Sequence, residues 1–299
     1  MTAPRRRRVA ASALLVILAA VAIAPTASSA EPAACSGSRT PASFRACIAV
    51  AAQVYTRQWA PVLSARGGSV AVPTIDIFTG PPINPCVDAT AGDVAVASFF
   101  CDKNRTVYVS AFASPYWTRE YAREARRQGV LASDARRTGR TQARLLRGFA
   151  NQGAATELAH ELGHWVQEQA GIFGWYSRRA AGDGPRAGAY QSAAELSADC
   201  MAGWAQGRAA ATGAWQNTPF VRWANHATIA ELGGDLSELR PGFRFPREAV
   251  VIAHGGPWSR LQMYDKGFAF GVANADGLVA CARAAASRTS TPLPPFLES

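Results

Sequence analysis

The sequence predicts an α+β fold in which a small antiparallel or mixed sheet packs on a mostly helical body. Five segments predict helices, because their apolar residues recur near helical spacing or because helix-stop signals bound them. These segments are 42–64, 153–170, 190–211, 219–232 and 257–284. Strands are predicted by three short stretches rich in Val, Ile and Phe, at 69–78, 94–100 and 106–112. The sheet is therefore expected to precede most of the helical body along the chain.

The first 30 residues predict export from the cytoplasm. A run of arginines at 5–8 is followed by an apolar stretch at 9–24 and by small residues at 27–30. This layout is typical of a secretory signal peptide that is cleaved after Ala30. The apolar stretch is short for a transmembrane helix, so membrane anchoring by residues 9–24 is the less favoured alternative. The arginine run leaves both the Sec and the twin-arginine export routes open.

Cysteine usage agrees with an extracytoplasmic protein. An even number of cysteines follows the predicted cleavage site, and none of them forms a Cys-x-x-Cys pair. In an exported protein this pattern favours disulfides over a zinc cluster. Our prediction is the local pairing, which is Cys35 with Cys47, Cys86 with Cys101, and Cys200 with Cys281.

Positive charge is concentrated in one segment of a chain whose formal net charge is +10. Residues 119–147 contain Arg119, Arg123, Arg126, Arg127, Arg136, Arg137, Arg140, Arg144 and Arg147. Such a segment is most often a solvated helix face, and the alternative is weak contact with an anionic lipid or cell-envelope polymer. No aromatic residues are interleaved as single-stranded nucleic-acid binding requires, so we expect no nucleic-acid partner.

A His-Glu-x-x-His motif lies inside the helix predicted at 153–170. His160 and His164 are four residues apart, so both imidazoles share one helix face and can reach one metal ion. Glu161 follows the first histidine, where its carboxylate can take a proton from a water that the metal has acidified. The alternative is a pair of ordinary surface histidines, and the motif by itself favours zinc.

The next predicted helix supplies carboxylates at the same spacing. Glu195 and Asp199 are four residues apart and are surrounded by Ala, Leu, Met and Trp, so they need a partner. A catalytic zinc has three protein ligands and an open fourth position, and Glu195 is the candidate third ligand. Asp199 is then expected to accept a hydrogen bond from the outer ring nitrogen of a liganding histidine.

Over most of residues 84–272 the sequence resembles the bacterial neutral zinc metallopeptidase family. Four blocks carry the resemblance, and they are Phe99–Asp102 with Val107–Val109, His160–Gln167, Glu195–Trp204, and His254–Gly256 with Arg260 and Gly267–Phe268. The family's usual Pro after the cysteine of the first block is Asp102 here, and its Gln before the arginine of the fourth block is Ser259.

The resemblance implies a zincin-like α+β fold with Zn²⁺ as cofactor. It implies that His160, His164 and Glu195 are the metal ligands and that Glu161 is the catalytic base. We accordingly expect a signal peptide at 1–30, a zinc metallopeptidase domain at 31–286 and a disordered Pro/Ser/Thr-rich tail at 287–299.

Two roles remain open for His254. It could donate a hydrogen bond to the oxyanion formed during hydrolysis, or it could brace the turn formed with the following Gly-Gly-Pro. His226 has no comparable context and is interpreted as structural. Tyr176 and Tyr190 lie on the connection between the two metal helices and are weaker candidates for electrophiles.

The leading functional hypothesis is an exported zinc peptidase that hydrolyses peptide or protein substrates through a Glu-activated water. One alternative is a zinc amidase acting on a cell-wall or other non-protein amide, which would use the same chemistry. Another is a non-catalytic interaction protein with a structural zinc, which would require four protein ligands. The sequence leaves the oligomeric state and the cleavage specificity undetermined.

Overall fold

The computed structural model describes residues 35, 40–68, 71–79, 86, 98–111, 122–232 and 255–298. The predicted signal peptide and His254 lie outside these residues, as do Arg119 and residues 94–97 of the second predicted strand. Within the described ranges the protein is mostly helical with a small mixed sheet, so the α+β prediction is confirmed. No helix in these ranges is long and apolar enough to span a bilayer.

Eight α-helices of nine residues or more lie in the described ranges. They are α1 (Pro41–Ser64), α2 (Val130–Thr138), α3 (Gln142–Gln169), α4 (Ile172–Gly182), α5 (Ala187–Ala211), α6 (Pro219–Leu232), α7 (Pro257–Val272) and α8 (Gly277–Thr289). Residues 122–127 are also helical, and short 3₁₀ turns occur at Gly184–Arg186 and Pro295–Leu297.

Three strands form the sheet in the order β1-β3-β2. These are β1 (Thr74–Phe78), β2 (Phe99–Cys101) and β3 (Thr106–Ser110). β1 pairs with β3 in parallel and β2 pairs with β3 antiparallel, so the sheet is mixed. Every residue of β3 is buried because the strand is central and contacts α3.

Local capping signals define several helix ends. The Thr40 hydroxyl accepts a hydrogen bond from the backbone N–H of Ser43, and the Ser43 hydroxyl accepts one from the backbone N–H of Thr40, which forms a capping box before α1. Asp276 accepts from two backbone N–H groups at the start of α8. α3 ends two residues before Gly171, whose positive φ of 72° is the stop that the sequence predicts.

Helices α5 and α7 approach each other unusually closely through paired glycines. A Cβ atom on Gly203 would lie 2.1 Å from the carbonyl oxygen of Tyr264, and one on Gly267 would lie 1.9 Å from that of Cys200. One turn further on, Gly207 and Gly271 leave similar spaces. From the first pair of glycines to the second, the contacts move toward the C-terminal end of both helices. α7 therefore runs beside α5, the helix that carries Glu195 and Asp199, with the two backbones in contact.

A buried polar network ties the helices together near the centre of the bundle. Its members come from α1, α3, α5, α6 and α7 and are Tyr55, Gln152, Thr156, Gln206, Asn225 and Tyr264. Asn225 donates to both Gln206 Oε1 (2.7 Å) and Tyr264 OH (2.9 Å). Because buried polar groups are costly unless they are paired, this network fixes the relative register of the helices.

Two sequence expectations about the C-terminal region are wrong. The helix predicted at 257–284 is two helices, separated where Asp276 caps α8. The tail predicted to be disordered from 287 is instead ordered through residue 298. α8 continues to Thr289, and Leu297 is buried in the main hydrophobic core. The Pro/Ser/Thr-rich composition concealed the few apolar residues that dock this segment.

The helix predicted at 153–170 begins three turns earlier than expected. α3 starts at Gln142, with the Thr141 hydroxyl accepting from the backbone N–H of Arg144. Its first two turns carry Arg144 and Arg147 of the arginine-rich segment, and both are exposed. The cysteines pair as predicted, Cys35 with Cys47, Cys86 with Cys101, and Cys200 with Cys281. Three such pairs are typical of extracytoplasmic proteins.

Candidate metal centre

Helix α3 carries the first three candidate residues into the interior. His160, Glu161 and His164 are 3%, 5% and 7% exposed, and their ligand atoms lie within 4.8 Å of one another. Gly163 permits this position, because a Cβ there would lie 2.8 Å from the carbonyl oxygen of Ala198 on α5. The missing side chain lets α3 and α5 pack closely enough for their polar faces to meet.

Glu195 of α5 lies opposite both histidines. Its Oε2 is 3.3 Å from His160 Nε2, and its Oε1 is 3.5 Å from His164 Nε2. These separations are longer than a typical N–H···O hydrogen bond. They match the roughly 3.3 Å edge of a tetrahedron built on zinc–ligand distances near 2.0–2.1 Å. The donor set therefore fits a zinc ion with two imidazoles and one carboxylate.

The outer ring nitrogens are held by different partners. His160 Nδ1 lies 2.8 Å from Asp199 Oδ1, and His164 Nδ1 lies 3.0 Å from Gln167 Oε1. Each contact keeps the proton on Nδ1 and leaves Nε2 free to bind a metal. The hydrogen bond predicted for Asp199 is thus present in the structure.

Sequence reasoning missed the role of Gln167 in this arrangement. Its side-chain amide donates to the Ala194 carbonyl (2.7 Å) and to the Ser197 hydroxyl, so it connects α3 with the turn of α5 that carries Glu195. Its position three residues after His164 could have revealed it, since residues at that spacing are neighbours on a helix.

Arg260 is the second residue that was missed, although it belongs to the fourth block of the resemblance. Its guanidinium is 1% exposed and donates from Nε and Nη2 to the two oxygens of Asp199. Because 61 residues separate the partners, no local pattern could have joined them.

Glu161 is oriented by the sheet. Its carboxylate is buried and accepts a hydrogen bond from the backbone of Phe100 in β2. Burial raises the pKa of the Glu161 carboxyl above its ordinary value, while the neighbouring His160 and His164 oppose that rise. A carboxylate with a raised pKa is a stronger base, as proton abstraction from water requires.

The metal-free cluster holds protons where the metal would bind. Burial lowers the pKa of His160, but the carboxylates of Asp199, Glu195 and Glu161, with Asp199 contributing most, together raise it to about 10. The pKa of His164 is also raised, since Glu195 outweighs the effect of burial. Burial opposes ionisation of Glu195, yet the two imidazoles hold the pKa of its carboxyl well below the ordinary value. The carboxyl of this candidate ligand is therefore held in its ionised form.

The remaining candidates lie elsewhere. His226 Nε2 contacts Asp265 Oδ1 at 2.7 Å on the surface, in agreement with a structural role. Tyr176 and Tyr190 are buried and pack with Trp175, and burial raises the pKa of Tyr176 to about 12. Their rings serve the core, so nothing in their geometry supports the weaker hypothesis of an electrophilic role.

A cysteine-based metal site is excluded by the disulfides. Cys86, Cys101 and Asp102 are close together, but both sulfurs are used in a disulfide. All six cysteines are paired in this way. Among the described residues, the histidine cluster on α3 is therefore the candidate metal centre.

A helical His-Glu-x-x-His motif facing a carboxylate on a second helix is the arrangement typical of zinc-dependent hydrolases. Residues 143–277 match the model of the family described as putative neutral zinc metallopeptidase. The resemblance that the sequence predicts is therefore confirmed over these residues. The matched segment runs from the start of α3 to the start of α8 and contains every candidate ligand. No curated protein and no solved structure matches the sequence significantly.

Proposed function

We propose that this protein is an exported zinc-dependent peptidase whose metal ligands are His160, His164 and Glu195. The convergence of two imidazole Nε2 atoms on one carboxylate, at 3.3 and 3.5 Å, carries the proposal. Zinc bound there would act as a Lewis acid that polarises a carbonyl and acidifies a water. The assignment agrees with the family match over residues 143–277.

Glu161 supplies the base and later the acid in this proposal. Its carboxylate takes a proton from the attacking water and returns it to the nitrogen of the leaving amine, so the amide C–N bond breaks with no net change at Glu161. The backbone contact with Phe100 fixes the direction of the carboxylate. The side chain of Glu195 is 21% exposed, against 4% for His160, which supports approach of the substrate from the Glu195 side of the cluster.

We also propose a zincin-like architecture for the domain. The packing of the sheet supports this architecture, because the small mixed sheet lies against α3, the helix that carries the His-Glu-x-x-His motif. Glu195 follows on a separate helix, and β2 reaches Glu161 through its backbone.

Export by a cleaved signal peptide at 1–30 is part of the same proposal. The disulfides support it, since such bonds persist in oxidising compartments.

We further propose weak contact between the arginine-rich segment and the anionic cell envelope. Among its described residues, Arg123, Arg126, Arg136, Arg144 and Arg147 are exposed. Binding to anionic vesicles that weakens steeply with salt would support this contact, and equal binding to neutral vesicles would contradict it.

The proposal is tested by metal content and peptide cleavage on the same samples of wild type and Glu195→Ala. We expect about one zinc per wild-type chain, cleavage of a mixed peptide library, and loss of both in the variant. Zinc that binds normally to the variant would remove Glu195 from the ligand set. A wild type without zinc after chelator-free purification would overturn the proposal. Zinc without cleavage of any peptide, but with cleavage of cell-wall amides, would favour the amidase alternative.

A further inference from the structure

A buried arginine lies directly behind the candidate metal ligands, and the proposed hydrolysis gives it no task. The guanidinium of Arg260 is 1% exposed. Its Nε donates to Asp199 Oδ2 at 2.7 Å, and its Nη2 donates to Asp199 Oδ1 at 2.8 Å. The same Nη2 lies 3.8 Å from Glu195 Oε2. One side chain therefore contacts both carboxylates of α5.

Arg260 also lies against a candidate ligand itself. Nη2 is 3.3 Å from His160 Nδ1 and 3.5 Å from His160 Nε2. The two ring nitrogens direct their hydrogen-bonding axes away from each other, so one donor cannot bond well to both. The guanidinium instead packs against the ring, while the hydrogen bond of Nδ1 goes to Asp199 at 2.8 Å.

The chemistry of this contact requires an arginine. A guanidinium is a planar fork whose parallel N–H groups match the two oxygens of a carboxylate, whereas a lysine offers a single ammonium. Burying a cation costs several kcal/mol unless it is paired and hydrogen-bonded. Asp199, which is 0% exposed, supplies that pairing, and its two oxygens are fixed by three donors.

The helix packing delivers Arg260 to this position. Two turns after Arg260, Gly267 contacts the backbone of Cys200, the residue next to Asp199. This backbone contact sets both the distance and the register between α5 and α7. The location of Arg260 is thus determined by packing that is independent of its charge.

We propose that Arg260 is a positioning residue for the metal, which orients His160 by clamping Asp199 and restrains the carboxylate of Glu195. The proposal rests on the function proposed above. Without the clamp, Asp199 can rotate, and the direction of the His160 lone pair is no longer fixed. Charge alone would act in the opposite direction, because a cation near the site repels a second cation. Geometry and charge therefore predict opposite effects on metal affinity.

The test measures zinc affinity by chelator competition and the visible spectrum of the cobalt-substituted protein. Arg260→Lys keeps the charge but loses the fork, and Arg260→Met loses both. Positioning predicts that both variants bind zinc about 10- to 100-fold more weakly and that the cobalt bands shift. Asp199→Asn should show a similar loss, and the double variant Arg260→Met/Asp199→Asn should lose little more, because the arginine acts through Asp199.

Arg288→Met is the matched control. Arg288 donates to Ser259, the neighbour of Arg260, at 2.9 Å and so holds the same end of α7 without touching the site. We expect its zinc affinity and cobalt spectrum to equal those of the wild type. Thermal unfolding of every variant separates loss of metal binding from loss of the fold.

Several outcomes would overturn the positioning role of Arg260. The first is that Arg260→Lys and Arg260→Met keep the zinc affinity and the cobalt spectrum of the wild type, and the second is that Arg260→Met binds zinc more tightly. The others are fully additive losses of affinity in the double variant and failure of both single variants to fold. Each of these leaves the proposed function in place if the wild type binds zinc and cleaves peptides. A wild type that binds no zinc would remove both proposals.

Discussion

His160 and Asp199 lie on different helices, 39 residues apart in sequence, and are joined by a 2.8 Å contact between Nδ1 and Oδ1. With Nδ1 held in this way, the Nε2 atom of His160 faces Glu195 Oε2 at 3.3 Å. A liganding histidine is commonly held by such an outer partner, which fixes its tautomer and its orientation. The predictions below concern the residues that this arrangement places around the candidate metal centre.

Glu161→Gln is expected to separate metal binding from catalysis. The carboxamide has the same shape and can still accept the hydrogen bond from the Phe100 backbone, so zinc content should not change. It cannot take a proton, so peptide cleavage should fall by about 10²- to 10⁴-fold. Zinc analysis and cleavage rates on the same preparation measure both effects.

Glu157→Gln is the matched control for this prediction. Glu157 lies one turn earlier on α3 and accepts a hydrogen bond from Ser98 at 2.7 Å. Its variant should retain cleavage within a few-fold of the wild type. Equal activity losses in the two variants would show that Glu161 is not the base.

Gln167→Leu is expected to weaken zinc binding through His164. The substitution leaves the buried His164 Nδ1 without its 3.0 Å partner, whereas the Ala194 carbonyl loses a 2.7 Å donor but keeps the Ser197 hydroxyl at 3.1 Å. Loss of an outer partner typically lowers metal affinity about 10- to 100-fold. An unpaired buried polar group costs roughly 1–3 kcal/mol of stability. Chelator competition and denaturant unfolding measure these two quantities.

Gln206→Leu provides a comparison for Gln167→Leu. Gln206 is also a buried glutamine of the helix bundle, but it bonds to Asn225 and Tyr264 rather than to a histidine. The variant should lose stability and keep wild-type zinc affinity. If both variants lost zinc affinity equally, the effect of Gln167 would be a general consequence of destabilisation.

The stability of the metal-free protein is expected to fall as the pH rises from about 6.5 to 10. Burial opposes the charged form of His160, but Asp199, with smaller contributions from Glu195 and Glu161, raises its pKa from 6.5 to about 10, so the folded state binds this proton more tightly than the unfolded state. The stabilisation is complete below about pH 6.5 and is lost as the pH rises through the folded pKa. The pKa of His164 is raised as well, which adds to the same trend.

Thermal unfolding of chelator-treated protein at intervals across this range measures the effect. Asp199→Asn removes the main cause of the raised pKa of His160 and should flatten the decline. Saturating zinc should remove it, because the metal replaces the proton. A metal-free wild type whose decline equals that of Asp199→Asn would contradict the prediction.

Gly267→Ala is expected to destabilise the fold by about 3 kcal/mol or more. The added Cβ would lie 1.9 Å from the carbonyl oxygen of Cys200, and neither backbone can move without separating α5 from α7. Overpacking against side chains typically costs about 1–3 kcal/mol, and a clash with backbone lies at the upper end. Denaturant unfolding measures the loss.

Gly182→Ala is the control for this prediction, since nothing lies within 4 Å of a Cβ at that position. It should be neutral or slightly stabilising, because alanine restricts the unfolded chain more than glycine does. Equal destabilisation by both substitutions would mean that the close approach of α5 and α7 does not limit residue 267.

Local patterns made much of the site predictable. The helical period places His160 and His164 on one face and Glu195 and Asp199 on another, and the structure keeps both spacings. Gly171 ends α3 as its sequence context predicts. The tail after residue 287 was mispredicted because composition does not reveal that Leu297 docks in the core. A few apolar contacts are enough to order a segment whose average composition favours disorder.

The sequence by itself determined the candidate ligands, the candidate base and the α+β class, because helix periodicity and the residue types that metals prefer are properties of short segments. Only the tertiary structure decided which groups stand behind those ligands. Arg260 reaches Asp199 across 61 residues because Gly267 lets α7 contact the backbone of α5. A buried charge must find its partner wherever the packing of the chain brings one, and that packing is set by contacts that no local pattern records.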